Sequence, residues 1–260
     1  MVLMVISSHV IISYMRRKKS DYTIGTSGWN YKDWRGIFYP KDLPAKDWLS
    51  FYGKSFDIVE INATFYHLFP DEVFLRWKKL AKNNFSYIIK VSRYITHIKR
   101  LLHCKRAIKK FCRSAALLEN KLSLVLLQLP PNMVYDLKRL EKAITAFNMR
   151  GKLVVEFRDE KWFTPEVKKL LIKKRCLFCA ADSPKTRLIS WVTANAGYIR
   201  LHGRKKWFDY KYTHRELKEV AKCAQQMRKN GAKKVYILFN NDYYAYAIQN
   251  ARSLQSLLKK

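Results

Sequence analysis

The sequence predicts an α/β protein of the TIM-barrel-like (β/α)8 class, and three features carry that prediction. Eight short runs of strand-forming residues recur between Tyr22 and Asn241. Most neighbouring runs are separated by segments whose apolar residues repeat at helical spacing. Polar and charged residues then gather toward the ends of the runs, on one face of each, where a barrel of this class builds its mouth. A doubly wound open sheet is the rival architecture, but no Gly-rich phosphate turn follows the first run.

Taken in order, the first run, Tyr22–Thr26, is followed by a helical stretch over Pro44–Lys54, with Pro at the expected first turn. The second, Asp57–Asn62, precedes Asp71–Lys82, where Val73, Phe74, Trp77 and Leu80 share a face. The third, Tyr87–Ser92, precedes Lys105–Glu119, where Ile108, Phe111, Cys112, Ala115 and Leu118 do the same. After Leu122–Leu129, the stretch Asp136–Asn148 aligns Leu137, Leu140, Ile144 and Phe147. After Lys152–Arg158, Thr164 caps a helix that begins at Pro165. The sixth and seventh runs, Leu177–Asp182 and Tyr198–His202, are joined by a segment without helical periodicity, so an irregular connection is expected there. Thr213–Lys229 opens with Thr213 and Glu216 at capping-box spacing. The eighth run, Lys234–Asn241, leads into a last helix from Tyr243 to Leu258.

A chain of 260 residues, 48% hydrophobic, buries enough surface for one large domain, and residues 21–260 are read as that domain. Only 8 Gly and 7 Pro leave no room for a long flexible linker. Residues 1–20 read as an extension outside the fold: an apolar stretch to Tyr14 is followed by Arg16, Arg17, Lys18 and Lys19. A secretory signal has the reverse order, and the stretch is short for a bilayer; an interfacial anchor is the other reading. Five scattered cysteines suit reduced thiols and a cytoplasmic location, and integral membrane association is not expected. Cys176 and Cys179 form the one Cys-x-x-Cys, but they lie in an apolar run that favours core packing. With 52 Lys+Arg against 20 Asp+Glu, the net charge of +32 favours anionic partners, an anionic small molecule or nucleic acid.

The strand ends carry the chemistry. Alternation at period 2 places Glu156 and Arg158 together on one face of the fifth strand. Glu60 and Asn62 share a face of the second, Lys90 and Ser92 of the third, and Arg200 and His202 of the seventh. Gln128 closes the fourth, Asp182 follows Ala180 on the sixth, and Asn240 and Asn241 end the eighth. One face of each barrel strand packs on helices and is apolar, so these polar groups are expected to point inward around a pocket.

Seven ordered segments resemble the YecE-like domain-of-unknown-function family: GTSGWNYKDWRGIFYP, VEINATFYHLFP, KVSRYITH, LLQLPP, VEFRDEKWF, RLHG and FNNDYYAYAIQNA. The resemblance runs from Tyr22 to about Leu258. It implies a TIM-barrel-like fold and brings no established reaction. Glu60, Asn62, Lys90, His97, Gln128, Glu156, Arg158, Asp182, Arg200, His202, Asn240 and Asn241 match the family pattern. The chain departs from it at Asp159, Lys161 and Ala245.

From these residues the expected function is hydrolase-type acid–base chemistry on an anionic, phosphoester-like substrate. Glu60, Glu156 and His202 are the catalytic candidates. Asn62, Lys90, Gln128, Arg158, Asp182, Arg200, Asn240, Asn241, Trp29 and Tyr66 are the substrate-binding candidates. No cofactor is predicted; a divalent metal held by Glu156, Asp182 and His202 is the alternative, opposed by the arginines on the same faces. A nucleic-acid-binding, nuclease-like barrel and a non-catalytic structural or regulatory module are the competing functions.

Overall fold

The strand pairing closes on itself. The computed structural model describes residues 20–259, and the expectations for the N-terminal extension fall on residues 1–19, outside the described residues. Within it run β1 (Tyr22–Ser27), α1 (Trp48–Ser55), β2 (Ile58–Ile61), the single turn α2 (Ala63–Tyr66) and α3 (Asp71–Leu80). Next come β3 (Ser86–Lys90), α4 (Lys105–Ala116), β4 (Leu122–Gln128), α5 (Leu137–Phe147), β5 (Leu153–Glu156) and α6 (Pro165–Lys174). The chain finishes with β6 (Leu177–Asp182), β7 (Gly197–Leu201), α7 (His214–Lys229), β8 (Val235–Phe239) and α8 (Tyr246–Leu258). Each strand pairs in parallel with the next and β8 returns to β1, giving the expected eight-stranded α/β barrel.

Helix starts follow the local chemistry. Thr164 Oγ1 accepts from Val167 N at 3.3 Å with Pro165 at the first position of α6, and Thr213 and Glu216 complete a capping box on α7. Pro44 sits earlier than its expected role: a 3-10 turn, Ala45–Asp47, intervenes before α1. The short elements without a periodic signal include α2 and the π-helical turn Tyr94–Ile98 after β3. The segment between β6 and β7 has no helix, as its composition implied. Its Thr193 hydroxyl accepts from Phe178 N at 2.9 Å and donates to Cys176 O at 2.6 Å, which fastens the segment beside β6.

Two apolar layers result. The outer one lies between strands and helices and contains Val59, Ile89, Val155, Ala180 and Phe239. The inner one fills the barrel with Ile58, Ile88, Leu124, Leu126, Val154, Leu177, Cys179, Ala181, Tyr198 and Leu238. This corrects one expectation. On β6 the inward set is Leu177, Cys179 and Ala181, so Ala180 and Asp182 face the helices instead. By the same alternation Asn240 continues the inward face of β8 after Leu238, while Asn241 continues the outward face after Phe239.

Candidate functional site

Five inward strand ends converge on one charged network. Arg200 from β7 reaches across the barrel, with Nη1 2.5 Å from Glu156 Oε2 and Nη2 2.5 Å from Glu60 Oε1. Tyr198, two residues earlier on the same face, donates to Glu60 Oε2 at 2.7 Å. Arg158 Nε lies 2.5 Å from Glu156 Oε1, and its Nη2 donates to Gln128 Oε1 at 3.2 Å. His202 Nε2 is 3.2 Å from Glu156 Oε1, and Asn240 Nδ2 is 2.9 Å from His202 Nδ1. Asn62 Nδ2 reaches Asn240 Oδ1 at 3.4 Å. Glu60, Glu156, Arg200 and His202 are fully buried.

Their protonation follows from this geometry. Burial alone would raise the Glu156 carboxyl, but the Arg158 and Arg200 guanidiniums and the His202 ring hold it well below the usual carboxylate range. Burial also works against a charged Arg200, and Glu156 and Glu60 outweigh it. Burial, with Arg158 and Arg200 adding repulsion, pushes His202 well below its ordinary value, so the ring is neutral. Glu156 is ionised and requires a donor, which places the single ring hydrogen on Nε2. Nδ1 is then a lone pair, matched by the Asn240 amide that donates to it.

Lys90 differs from the other cations. It is 7% exposed, and its ammonium lies 4.2 Å from the centre of the Phe65 ring with no hydrogen-bond acceptor among the described residues. Burial and the nearby Arg200 charge lower it to about 7, against the partial support of Glu60 and Glu156. Close by, His97 is pushed down to about 4 by burial and by the Lys90 and Arg93 charges. Trp207, on the loop after β7, lies over Arg158 with the guanidinium 4.6 Å from its ring and packs beside His202 at 5.4 Å. The mouth therefore sets two carboxylates against the Arg158 and Arg200 guanidiniums and the Lys90 amine, with Asn62 Oδ1 and Ser27 Oγ buried at its edge without a partner among the described residues.

Not every expected residue joins this group. Asp182, facing outward, pairs with Arg204 Nε at 2.8 Å, and burial raises its carboxyl despite that partner. Asn241 donates to Tyr210 O at 2.8 Å and to Asn250 Oδ1 at 2.9 Å. Both residues thus anchor the loop after β7 and do not line the mouth. Trp29 packs edge-on against Trp77 of α3, and Tyr66 is 68% exposed on the rim. The alternative metal set of Glu156, Asp182 and His202 is not assembled, because Asp182 lies on the other face of its strand; among the described residues no three His, Cys, Asp or Glu side chains come together as ligands. Sequence reasoning missed Tyr198, although its parity with Arg200 and His202 marks it. It also missed that Phe65 carries Lys90. Beside the mouth, a cavity of about 340 Å³ lies between α3 and α4, and the Thr64 hydroxyl on its wall donates to Lys90 O at 2.7 Å.

Comparison with known proteins gives a consistent picture. The family described as "Protein of unknown function DUF72" matches residues 23–260. The UPF0759 protein YunF of Bacillus subtilis (strain 168) is 26% identical over 270 residues, covering 90% of this chain and 94% of that protein. The UPF0759 protein YecE of Escherichia coli (strain K12) is 29% identical over 107 residues, 41% of this chain and 37% of that protein. The crystal structure of a DUF72 family protein (TM1631) from Thermotoga maritima superposes with a TM-score of 0.84 at 28% identity, covering 92% of this chain and 99% of that one. An Enterococcus faecalis DUF72 family protein (EF0366), 21% identical, shares the fold with a TM-score of 0.78 over 92% of this chain and 96% of that one.

Proposed function

The chain belongs to the DUF72 family, and on that footing we propose that it is a hydrolase-type enzyme that acts on an anionic, phosphoester-like substrate at the C-terminal mouth of its barrel. The observation that carries this reading is Lys90, a buried amine with no acceptor among the described residues, in the same mouth as the Arg158 and Arg200 guanidiniums. Arg158, backed by Gln128 and covered by Trp207, offers a guanidinium to the anion. Lys90, lowered to about 7, takes the proton from the attacking water as its oxygen bonds to phosphorus and the ester P–O bond breaks, the departing oxygen leaving as the alkoxide or phenoxide and taking its proton from solvent. Glu60 and Glu156 keep Arg200 charged beneath the site, where its field favours negative charge developing above it. In this reading proton transfer falls to Lys90, and Glu60, Glu156 and His202 fix the electrostatics.

Titration calorimetry with inorganic phosphate, alongside hydrolysis of p-nitrophenyl phosphate and of its bis-ester, tests the proposal. Wild type is expected to bind phosphate at low salt and to turn over one of the esters with a rate that rises through about pH 7. Arg158→Gln is expected to lose phosphate affinity, and Lys90→Met to lose turnover. A wild-type protein that binds no phosphate, or binding indifferent to Arg158→Gln, overturns it.

A further inference from the structure

The exposed apolar residues are not spread evenly. Tyr66 and Leu68 after β2, with Tyr94, Ile98 and Leu102 after β3, are 68%, 67%, 44%, 62% and 44% exposed and occupy adjacent loops on one side of the mouth. The same two loops contain Arg93, Lys99 and Arg100 and, from Asn62 to Pro70 and Val91 to Cys104, no Asp or Glu. Arg100 donates to the Asn132 carbonyl and side chain at 3.0 and 3.3 Å through exposed contacts, and Lys99 lies 5.7 Å over the Tyr94 ring. Among the described residues no carboxylate pairs with any of the three. The 340 Å³ cavity opens in this sector, with Phe69, Phe74, Tyr94 and Phe111 supplying aromatic walls, and Ser92 and Lys110 polar groups. Phe65 joins the sector to the mouth: its ring packs edge-on to Tyr66 and to His97, each at 4.9 Å, and bears the Lys90 ammonium.

We propose that this face binds single-stranded nucleic acid, with bases stacking on Tyr66 and Tyr94, one unstacked base entering the cavity between α3 and α4, and phosphates lying along Arg93, Lys99 and Arg100. Exposed rings interleaved with cations that no carboxylate among the described residues neutralises suit a polyanion whose base faces are free, because stacking needs no sequence and a duplex hides those faces. An aromatic-walled cavity with a few polar groups has the lining that small-ligand pockets use, and a planar heterocycle fits that description. The net charge of +32 supplies long-range attraction. The inference names the polymer whose phosphates reach the proposed mouth, and in that respect it rests on that reading.

The test uses the full chain and fluorescence anisotropy of labelled oligo-dT and oligo-dA, a duplex of equal length, and anionic phospholipid vesicles, over a salt series. Single strands are expected to bind more tightly than the duplex. Tyr66→Ala and Tyr94→Ala each weaken single-strand binding about tenfold and leave duplex binding unchanged. Ala107→Trp, which fills the cavity from α4, weakens it as well. These positions are at least partly exposed, and circular dichroism confirms that the variants fold. Equal affinity for duplex and single strand with no effect of the tyrosines overturns the inference in favour of diffuse charge. Tyrosine-dependent binding of vesicles alone overturns it in favour of a membrane face. Inorganic phosphate, measured on the same variants, reports the mouth separately: failure of wild type to bind it sinks the mouth reading, whereas loss of tyrosine-dependent oligonucleotide binding sinks only this one.

Discussion

Arg158 Nε lies 2.5 Å from Glu156 Oε1, so two residues that strand alternation puts on one face close an ion pair past the intervening Phe157. The pair does not stand alone. Glu156 also receives Arg200 and His202, Arg200 passes to Glu60, and Glu60 ends on Tyr198, so a single chain of contacts crosses the barrel from β4 to β7 and β2. Buried charges are costly unless every member is matched, and here each charge has a partner that another member also needs.

Glu156→Gln is therefore expected to destabilise the protein by about 3–5 kcal/mol, because two buried guanidiniums lose their shared counter-charge. Tyr198→Phe removes one hydrogen bond to Glu60 and is expected to cost only about 1–3 kcal/mol. Urea denaturation of the two variants checks the order. A Glu156→Gln protein within about 1 kcal/mol of wild type would mean that solvent, and not the carboxylate, compensates the arginines.

How much of this was legible in the sequence depends on how local the signal is. Alternation placed Glu60, Lys90, Glu156, Arg158, Arg200 and His202 together because each is fixed by its own strand. Asp182 and Asn241 went astray for the same reason: a polar residue at a strand end can be satisfied on either face, and the partners that decide it, Arg204 and Asn250, lie on distant elements. The capping signals of Thr164 and Thr213 and the missing helix after β6 were readable, being local. The π-turn after β3 and the Phe65–Lys90 contact were not, since the first is a single turn too short to show a period and the second joins α2 to β3.

His202 is expected to remain neutral with its hydrogen on Nε2 throughout the range in which the protein is folded near neutral pH. Burial and two guanidiniums oppose its protonation, and Asn240 occupies Nδ1. Nitrogen-15 spectra of histidine-labelled protein check this directly. An imidazolium pattern at pH 6, or a hydrogen on Nδ1, would reverse the assigned direction of the Asn240 hydrogen bond and with it the orientation of the Asn62–Asn240 pair.

Lys90 makes a prediction with a definite sign. Its folded value of about 7 lies below the ordinary 10.5, so between those values the unfolded chain binds the extra proton and the folded chain does not. Stability contributed by this site must then rise with pH across that window, and the site is at its most unfavourable below about 7, where the buried amine is charged in the native state. Lys90→Met is expected to be more stable than wild type at pH 6.5 by about 2 kcal/mol or more, with the difference shrinking as pH approaches 10. Parallel denaturation at several pH values measures it. A difference that stays constant with pH would show that Lys90 keeps its proton in the folded protein.

The loop after β7 turns on Gly203, and substituting it separates backbone strain from crowding. Gly203 has φ +100°, and a Cβ there would lie 2.4 Å from Lys206 O and 2.6 Å from Tyr210 Cβ, both on the loop that brings Trp207 over Arg158. Gly231 has φ +96° but, among the described residues, nothing within 4 Å of the same position, so it carries the conformational cost alone. Gly231→Ala is expected to lower stability by about 1–2 kcal/mol and to leave phosphate binding unchanged. Gly203→Ala adds the clash, which backbone atoms cannot relieve without moving the loop. It is expected to cost more and to weaken the proposed phosphate binding, because Trp207 leaves the guanidinium it covers and Arg158 opens to water. Thermal unfolding and phosphate calorimetry on the two variants decide the point: equal losses in both would show that the cover over Arg158 does not depend on how the loop turns at Gly203.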